Sequence, residues 1–388
     1  MKHRLQNIIK TIYFIQKSKS SEITEALIPY LRRLTRLMAL PYCFLYQIDW
    51  HECNKAKIFV FKDLLYIFFV LKYYPDNYGR CRLWEKKKTE WKYYYGSIYD
   101  PYQRKALGKL IQRKEYEIIF ENKYICYELC KAASIPLPVS YGIIEPFKDY
   151  HKKIKLIFDG RFGKSIIIKP LDGSGGEGIA VINSCNEHII VNMNNKEIPL
   201  REFRVKKTSL VQEYIEQLPE IANFSSSTNT IRIVTLLTKK EDVIIIGAIM
   251  RFGVKNSYID NTSKGGISVG INTNNGRLMK RAYSLKGKIY EKHPDSKIPF
   301  KGFRVPFWKD SVSLAYSIQK YFFYYKLICC DFALSSEGPI LIEINAKHDN
   351  VGLEQKCGPI LLNHRILTEF GNYGLLINEK TKKLRECV

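Results

Sequence analysis

The stretch Ile166-Ile-Ile-Lys-Pro-Leu-Asp-Gly-Ser-Gly-Gly-Glu-Gly-Ile179 decides how this chain is interpreted. A β-branched run ends in Lys169, and a loop with glycines at 173, 175, 176 and 178 leads into a second apolar run. Glycines let successive backbone N–H groups approach an anion closely, and Lys169 adds a positive charge beside them. The loop lacks the Gly-Lys-Ser/Thr ending of a Walker A loop, and the following strand also excludes a Rossmann fingerprint. The pattern predicts a hairpin whose loop binds phosphate, although an ordinary hairpin has the same appearance.

A second strand candidate, Leu210-Val-Gln-Glu-Tyr-Ile215, runs into a polar segment that contains Glu216 and Glu220. The backbone of such a strand can offer hydrogen-bonding groups to a purine edge, and a following carboxylate can accept from ribose hydroxyls. A plain edge strand has the same composition. The composition of this segment therefore does not distinguish a purine-binding strand from a plain edge strand, and only its position relative to the other features can.

The third feature is a pair of acidic strands near the end of the chain. Asp331 lies in an apolar run, and Glu343 and Asn345 lie in the next one, with a turn over 335–338 between them. Residues two apart on a strand face the same side, so Glu343 and Asn345 project together, and an in-register hairpin brings Asp331 to them. Oxygen ligands of this kind suit Mg²⁺. The alternative is a solvated sheet face that carries three polar side chains.

The rest of the chain changes character near residue 134. Before it, apolar residues recur every three or four positions, which predicts helices up to Ala133, where prolines at 136 and 138 end the pattern. After it, β-branched runs alternate with turn residues, which predicts mostly antiparallel strands with helices over 311–325 and 359–370. The predicted class is α+β. Strands are expected at 166–168, 179–182, 209–212, 231–237, 243–246, 328–334 and 339–344.

The charge of the chain limits its partners. The 388 residues carry a formal net charge of +24, and residues 1–120 hold 23 Lys/Arg against 11 Asp/Glu. A basic surface attracts nucleic acid, anionic lipid or acidic small molecules, or it serves only solubility. No nucleic-acid-binding motif accompanies the charge, so we expect no specific nucleic-acid partner.

No stretch predicts secretion or a membrane span. The basic start contains no uninterrupted apolar run. The most apolar stretch, 58–71, is interrupted by Lys62 and Asp63 and is shorter than the ~20 residues that cross a bilayer, so a buried helix is favoured over a membrane-surface helix. The ten cysteines form no CxxC pair and are expected to be reduced thiols. We expect a cytoplasmic protein, with the inner face of the membrane as a compatible location.

In this order, the lysine with its glycine loop, the hinge strand and the acidic strand pair resemble the ATP-grasp superfamily. Within it, the chain is similar to the sugar-transfer-associated ATP-grasp proteins, which are related to α-glutamate ligases. The resemblance covers about residues 100–370 and implies the ATP-grasp fold, two α+β lobes that clasp ATP. It rests on Phe120-Glu-Asn-Lys-Tyr124, Ile168-Lys-Pro170, Asp172 to Gly178, Val211-Gln-Glu-Tyr-Ile215, Asn229-Thr-Ile-Arg-Ile233 and the three polar residues of the acidic strands.

The resemblance implies a role for each matched residue of the nucleotide site. Lys123 and Lys169 would contact the ATP phosphates, with Lys169 also near the adenine, and Arg232 would stabilise the γ-phosphoryl group. Lys169 and Arg232 are thus the expected catalytic residues. The remaining nucleotide contacts would come from the glycine loop, the hinge and a ribose-binding glutamate, for which Glu220 is preferred over Glu216: Asp172, Gly173, Ser174, Gly175, Gly176, Gln212, Glu213, Tyr214, Ile215 and Glu220.

The resemblance also implies a metal and an acceptor side. Asp331, Glu343 and Asn345 would hold one or two Mg²⁺ ions. The acceptor would be lined by Arg251, Asn261, Lys264 and Gly265, for which an ordinary hairpin loop is an equally good interpretation. The segment Ala346-Lys347-His348-Asp349 departs from the proline-containing turn of many relatives. That departure concerns the substrate contacts and not the metal residues.

The implied activity is that of an Mg-ATP-dependent carboxylate–amine ligase that acts through an acyl phosphate, in surface-polysaccharide or capsule biosynthesis, where an amino acid is joined to a sugar or related acceptor. The partners would be a small-molecule acid and amine, with a sugar-linked or membrane-anchored acceptor and peripheral membrane contact compatible. One alternative is a kinase-like phosphotransferase or a ligase of peptide tails. Another is a non-catalytic nucleotide- or nucleic-acid-binding protein. The expected domains are a helical basic region 1–100, an N-terminal lobe 101–209 with the phosphate loop, and a C-terminal lobe 210–388 with the metal site.

Overall fold

The computed structural model describes residues 31, 33–96, 107–158, 165–173, 175–185, 188–193, 196–255, 260, 265–285 and 287–376. The chain forms two compact units. The split unit comprises Met1–Ile111 with Asp349–Val388, and the central unit comprises Gln112–His348. The division into domains 1–100, 101–209 and 210–388 expected from the sequence stays a proposal.

The helices are mostly short. In chain order they are α1 Leu40–Tyr42, α2 Lys57–Phe69, α3 Asn77–Arg80, α4 Glu117–Glu121, α5 Lys123–Ala132, α6 Tyr150–Phe158, α7 Pro219–Ala222, α8 Trp308–Tyr321, α9 Asn350–Cys357 and α10 His364–Asn372. A π-helical turn, Cys43–Gln47, continues α1. Single 3₁₀ turns lie at Leu83–Glu85, Trp91–Tyr93, Lys114–Tyr116, Leu200–Glu202 and Ile360–Leu362. No helix among the described residues is long and apolar enough to cross a membrane.

The first sheet of the central unit has six antiparallel strands in the order β1-β6-β2-β3-β4-β5. Their bounds are β1 Ser140–Ile144, β2 Ser165–Pro170, β3 Ala180–Cys185, β4 His188–Met193, β5 Lys196–Pro199 and β6 Ser209–Glu213. Helix α6 covers one face, where Ile154 and Phe158 join a core with Ile166 and Ile168. This packing fixes β2, the strand that carries Lys169.

The second sheet has seven antiparallel strands in the order β11-β10-β9-β8-β7-β12-β13. Their bounds are β7 Ile231–Leu237, β8 Val243–Phe252, β9 Ile267–Asn272, β10 Arg277–Ser284, β11 Ile289–Tyr290, β12 Leu327–Ser335 and β13 Gly338–Asn345. Every residue of β12 is buried. Helix α8 packs on the sheet through Ala315 and Ile318, beside a cluster that includes Phe252 and Phe300. Charged side chains on β12 are therefore held inside a rigid, apolar frame.

The seven predicted strand regions are confirmed, and the observed strands extend most of them by a few residues. The helix expected to continue to Ala133 is wrong around Asn122, where the backbone is extended (φ −91°, ψ 109°). The Asn122 side chain accepts hydrogen bonds from the N–H groups of Tyr124 and Ile125 and so caps a new helix, α5. Helices α8 and α10 begin at Trp308 and His364 instead of near 311 and 359. Strands β1, β4, β5, β9, β10 and β11 were not predicted.

Candidate nucleotide and metal site

The acidic strand pair forms as the sequence predicts. Strands β12 and β13 are antiparallel, with Asp331 opposite Glu343 and Cys329 opposite Asn345. On its other side β12 pairs with β7, where Asp331 lies opposite Arg232. Three neighbouring strands thus place a cation and two carboxylates in one row across the sheet.

Asp331 is the most completely bonded charge in this row. It is fully buried. Arg232 donates to both of its oxygens, from Nε to Oδ1 and from Nη2 to Oδ2, each over 2.7 Å. Arg251 Nη2 and Asn345 Nδ2 donate to Oδ2 over 3.1 and 3.3 Å. Burial alone raises the pKa of this carboxyl, but the two guanidinium groups outweigh burial and lower it, so the group is ionised.

Arg251 is held by two residues that sequence reasoning missed. Thr230 Oγ1 accepts from Arg251 Nε and Nη2 over 2.9 and 2.7 Å, and Asp260 Oδ2 lies 3.3 Å from Arg251 Nε. Asp260 also accepts from the Thr230 N–H (2.9 Å) and hydroxyl (2.5 Å). Both residues are buried. The result is a chain of contacts from Asp260 through Thr230 and Arg251 to Asp331.

Lys123 connects the acidic row to the glycine loop. It is the first residue of α5, and the cap at Asn122 fixes where that helix starts. Its Nζ lies 3.4 Å from Glu343 Oε1 and donates to the Gly173 carbonyl over 2.9 Å. The Glu343 side chain is 30% exposed, in contrast to buried Asp331. The predicted lysine, glycine loop and acidic strand therefore meet at one place.

Lys169 lies at the end of β2 and is only 6% exposed. Its ammonium group has no hydrogen bond or ion pair among the described residues, while its backbone pairs with Leu210 of β6. Burial lowers the pKa of this ammonium group to about 8, while Glu343 opposes the shift and Lys123 adds to it. Lys169 is thus a buried positive charge close to the group of residues that also contains Lys123 and Glu343.

The glycine loop has the backbone that its sequence predicts. Gly175, Gly176 and Gly178 all have φ near +75°, and Gly173 has φ +129°, conformations that L side chains rarely adopt. A Cβ on Gly178 would lie 2.8 Å from Pro170 Cγ. Asp172 is exposed and pairs with Lys207 at 3.2 Å. Ser174 lies outside the described residues.

The hinge strand is partly committed to its own sheet. The N–H of Glu213 donates to the Val139 carbonyl over 2.8 Å, and the N–H of Tyr214 donates to the Ser165 carbonyl over 3.0 Å. These two donors are therefore not the ones that read a purine edge, whereas Gln212 lines the cleft and Ile215 is buried beside it. Glu220 is exposed at the start of α7.

A cleft between α5, β6 and β13 collects the central residues. It is open to solvent and encloses about 410 Å³. Its polar wall is formed by Lys123, Lys169, Gln212 and Glu343, and its apolar wall includes Leu210 and Leu341. An apolar slot with a few convergent polar groups is typical of a small-molecule site.

The donor set fits a hard cation. Asp331 lies opposite Glu343, and Asn345 lies two residues farther along the same strand as Glu343; the carboxylate and amide oxygens of these side chains would suit Mg²⁺ better than softer metals. No group of three or more His, Cys, Asp or Glu side chains within the described residues forms a metal site, and this trio includes an amide. On the acceptor side, Gly265 has φ +103°, while Asn261 and Lys264 lie outside the described ranges.

Solved structures of ATP-grasp ligases are similar to the chain at low identity. A D-alanine–D-alanine ligase from Helicobacter pylori is 14% identical, with 69% of this chain and 62% of that chain covered and a TM-score of 0.38. A D-Ala:D-Ser ligase from Enterococcus faecalis is 14% identical (66% and 62% covered, TM-score 0.39). A phosphoribosylamine–glycine ligase from Thermotoga maritima is 12% identical (69% and 57% covered, TM-score 0.41). The chain spans about three fifths of the length of these structures.

No curated protein sequence matches the chain. The family described as sugar-transfer associated ATP-grasp matches residues 102–369, which is well over half of the chain. The matched range includes both sheets and all residues that line the cleft. The α+β architecture described above is the ATP-grasp fold, and the chain belongs to the sugar-transfer associated ATP-grasp family.

Proposed function

We propose that this protein is an Mg-ATP-dependent carboxylate–amine ligase that works through an acyl phosphate. The observation that carries the proposal is the row Arg232–Asp331–Glu343, in which Lys123 lies 3.4 Å from Glu343 and also donates to the Gly173 carbonyl of the glycine loop. Phosphoryl transfer needs positive charge on the transferred group and carboxylates that hold the metal, and both are present in this row. The substrate carboxylate would attack the γ-phosphorus of ATP, which releases ADP and forms the acyl phosphate. An amine would then attack the acyl carbon and displace phosphate, which gives the amide.

Each charged residue has a separate task in this proposal. Lys123 and Lys169 bind the phosphate oxygens, and Arg232, which uses Nε and Nη2 on Asp331, has Nη1 as its third nitrogen toward the transferred group. Bound Mg²⁺, held by Asp331, Glu343 and Asn345, supplies further positive charge on the nucleotide phosphates. Because Asp331 is fixed by two arginines, these groups are oriented before substrate arrives, which is the main source of electrostatic catalysis.

The glycine loop is proposed to protect the intermediate. An acyl phosphate hydrolyses unless water is kept away until the amine attacks. Glycines at 173, 175, 176 and 178 allow the backbone to close over phosphates without side-chain obstruction. The Lys123 bond to the Gly173 carbonyl ties one end of the loop to the acidic row.

For the acceptor, we propose an acidic sugar or a sugar-linked amine of a surface polysaccharide, joined to an amino acid. The family description, sugar-transfer associated, supports this class. The net charge of +24 supports an acidic substrate, since a basic surface raises the local concentration of anions. The corresponding location is the cytoplasm, at the inner face of the membrane.

The test is trapping of the acyl phosphate. A panel of amino acids and uronic acids is incubated with the full chain, MgATP and hydroxylamine. We expect an acyl hydroxamate, ADP and phosphate from the true acid substrate, and loss of all three with Glu343→Gln. Glu337→Gln, in the exposed turn of the same hairpin, is the matched control and should leave turnover unchanged. A stable phosphorylated product without hydroxamate would indicate a kinase, and unchanged ATP turnover in Glu343→Gln would refute the enzyme proposal.

A further inference from the structure

Helix α2, Lys57–Phe69, is apolar on both of its faces. Its inner face is buried, with Val60, Leu64 and Ile67 inaccessible to solvent in the core of the split unit. A surface helix of a globular protein normally carries polar residues on its outer face. The outer face of α2 instead has large apolar side chains, so the ordinary account of a core helix explains only half of it.

The outer face carries exposed apolar side chains towards both ends of the helix. Ile58, Phe61 and Phe69 lie on one side of α2, whereas Leu65 is partly buried against the core of the split unit. Ile58, Phe59 and Phe69 are 58%, 53% and 56% exposed. Exposed apolar residues scattered singly are common, but several large ones on the outer face of one helix mark an interaction surface.

A second group of exposed apolar side chains precedes α2 in the chain. Leu31, Leu34 and Met38 are exposed at helical spacing. Arg33, between them, donates to the carbonyls of Phe68 and Lys72 at the C-terminal end of α2. These bonds hold the segment beside the C-terminal end of α2, with Arg33 on the opposite side of the segment from Leu31, Leu34 and Met38.

The charge around this apolar face is positive. Lys57 lies 5.6 Å from the Trp50 ring centre and Lys62 lies 5.8 Å from that of Phe59; both are exposed, and Lys62 lies on the same side of α2 as Ile58 and Phe69. The acidic residues of the region are at 49, 52 and 63. Asp63 is buried against Lys55, and Glu52 pairs with Arg82. The exposed groups on this face are thus mainly apolar or cationic.

We propose that the outer face of α2 docks the protein on a membrane surface that contains anionic lipids. The apolar side chains enter the interfacial region while Lys57 and Lys62 meet lipid phosphates, a pattern that interfacial helices share. A second copy of the chain would bring the same exposed lysines against each other. Residues 1–30 hold five Lys/Arg against two Asp/Glu and would do the same. Charge complementarity therefore favours the lipid surface over both.

The test uses the full chain without nucleotide, so that it does not depend on the proposed reaction. Sedimentation with vesicles of phosphatidylcholine, with and without phosphatidylglycerol, measures the partition coefficient at several salt concentrations. We expect binding to the anionic vesicles that weakens with salt, and a loss of roughly tenfold or more in the triple variant Ile58→Gln/Phe59→Gln/Phe69→Gln. Lys57→Gln and Lys62→Gln should each lower binding to anionic vesicles on the order of fivefold.

The matched control removes three equally exposed apolar side chains from the central unit, with Ile118→Gln, Leu156→Gln and Phe323→Gln in one variant. Because all six side chains are exposed, neither triple variant should alter the circular dichroism spectrum. The proposal is wrong if the wild type ignores anionic vesicles or if the control variant loses as much binding. It is also wrong if binding appears only after residues 1–30 are removed, or if the α2 variant dissolves a dimer while vesicle binding is absent.

Discussion

The two sheets of the central unit hold buried charge in opposite ways. In the seven-stranded sheet, Asp331 receives hydrogen bonds from Arg232, Arg251 and Asn345, and its pKa is lowered. In the six-stranded sheet, Lys169 is 6% exposed and its ammonium group has no such partners within the described residues, and burial lowers its pKa to about 8. The charge of Asp331 is satisfied by its own sheet, whereas the charge of Lys169 is destabilised by burial.

This difference separates stability from function. A satisfied buried charge contributes to folding once its partners are present, since removing it leaves those partners without compensation. A buried charge without partners costs folding free energy, which a bound anion would offset. The seven-stranded sheet thus holds the residues proposed for the metal in a pre-formed frame, while the six-stranded sheet holds a lysine proposed to contact phosphate.

The largest expected effect comes from Asp331→Asn. The substitution leaves two guanidinium groups facing a neutral amide, so we expect the free energy of unfolding to fall by about 3–5 kcal/mol. ATP turnover should be abolished. Urea unfolding at pH 7 and a coupled ADP assay measure the two effects.

The control for this change is Glu343→Gln. Its side chain is 30% exposed and pairs only at 3.4 Å with Lys123, so stability should change by less than about 1 kcal/mol while turnover is still lost. If Asp331→Asn and Glu343→Gln lowered the free energy of unfolding equally, the hydrogen bonds of Asp331 would not contribute the stability proposed for them.

Lys169→Met should act in the opposite direction on stability. A shift of the pKa from 10.5 to about 8 corresponds to about 3 kcal/mol of destabilisation at neutral pH, so the variant should gain up to that amount. Its affinity for ATP, measured by calorimetry, should fall by about tenfold or more, because a charged phosphate contact is lost.

The pH dependence of stability gives an independent check of the same shift. Below pH 8 the folded and unfolded chains both hold the Lys169 proton, so this group contributes no slope. Between about pH 8 and 10.5 only the unfolded chain holds it, so wild-type stability should rise with pH, and the rise should be missing in Lys169→Met. ATP affinity of the wild type should decline through the same window, whereas a decline that persists in Lys169→Arg would point to another group.

The smallest expected effect comes from Asp260→Asn, which acts on Asp331 only through Arg251. The variant loses the ion pair with Arg251 but keeps an oxygen for the Thr230 N–H. We expect a stability loss of about 1–3 kcal/mol and a lower kcat, with ATP affinity little changed, because Asp260 positions Arg251 rather than touching nucleotide. Asp310→Asn, an exposed aspartate in α8, is the control, and a selective loss of ATP affinity in Asp260→Asn would contradict a positioning role.

The features with local periodicity could be predicted from the sequence. Two apolar runs and a short turn predict the hairpin that carries Asp331 and Glu343, whereas their direct pairing also depends on an irregularity of the ladder between Asp331 and Phe332. The positive φ values after Lys169 follow from the glycines themselves. The strand pair and the glycine conformations are therefore confirmed, while the metal and phosphate roles of these residues stay predictions.

The features without local signal were missed. Strand β1 contains Gly142 in a left-handed conformation at an irregularity of the ladder, and β10 begins Arg-Leu-Met-Lys-Arg with no β-branched residue. Asp260 contacts Thr230 thirty residues away, and nothing near Asp260 in the sequence indicates that contact. The acceptor-side role of Arg251 stays a prediction, but its contact with Asp331 was not predicted, because that contact depends on the pairing of β8, β7 and β12.

The irregularity in the hairpin has a consequence for how sequences of this kind diverge. Asp331 pairs with Glu343 but Phe332 pairs with Leu341, so Ile342 is one residue more than the ladder requires. That surplus side chain lines the cleft beside Glu343. Strand β13 can therefore change in length by one residue at this point and keep both the turn and the acidic row, while the wall of the cleft changes. Substrate selectivity can thus evolve through the length of β13, and a comparison of substitutions alone does not detect such a change.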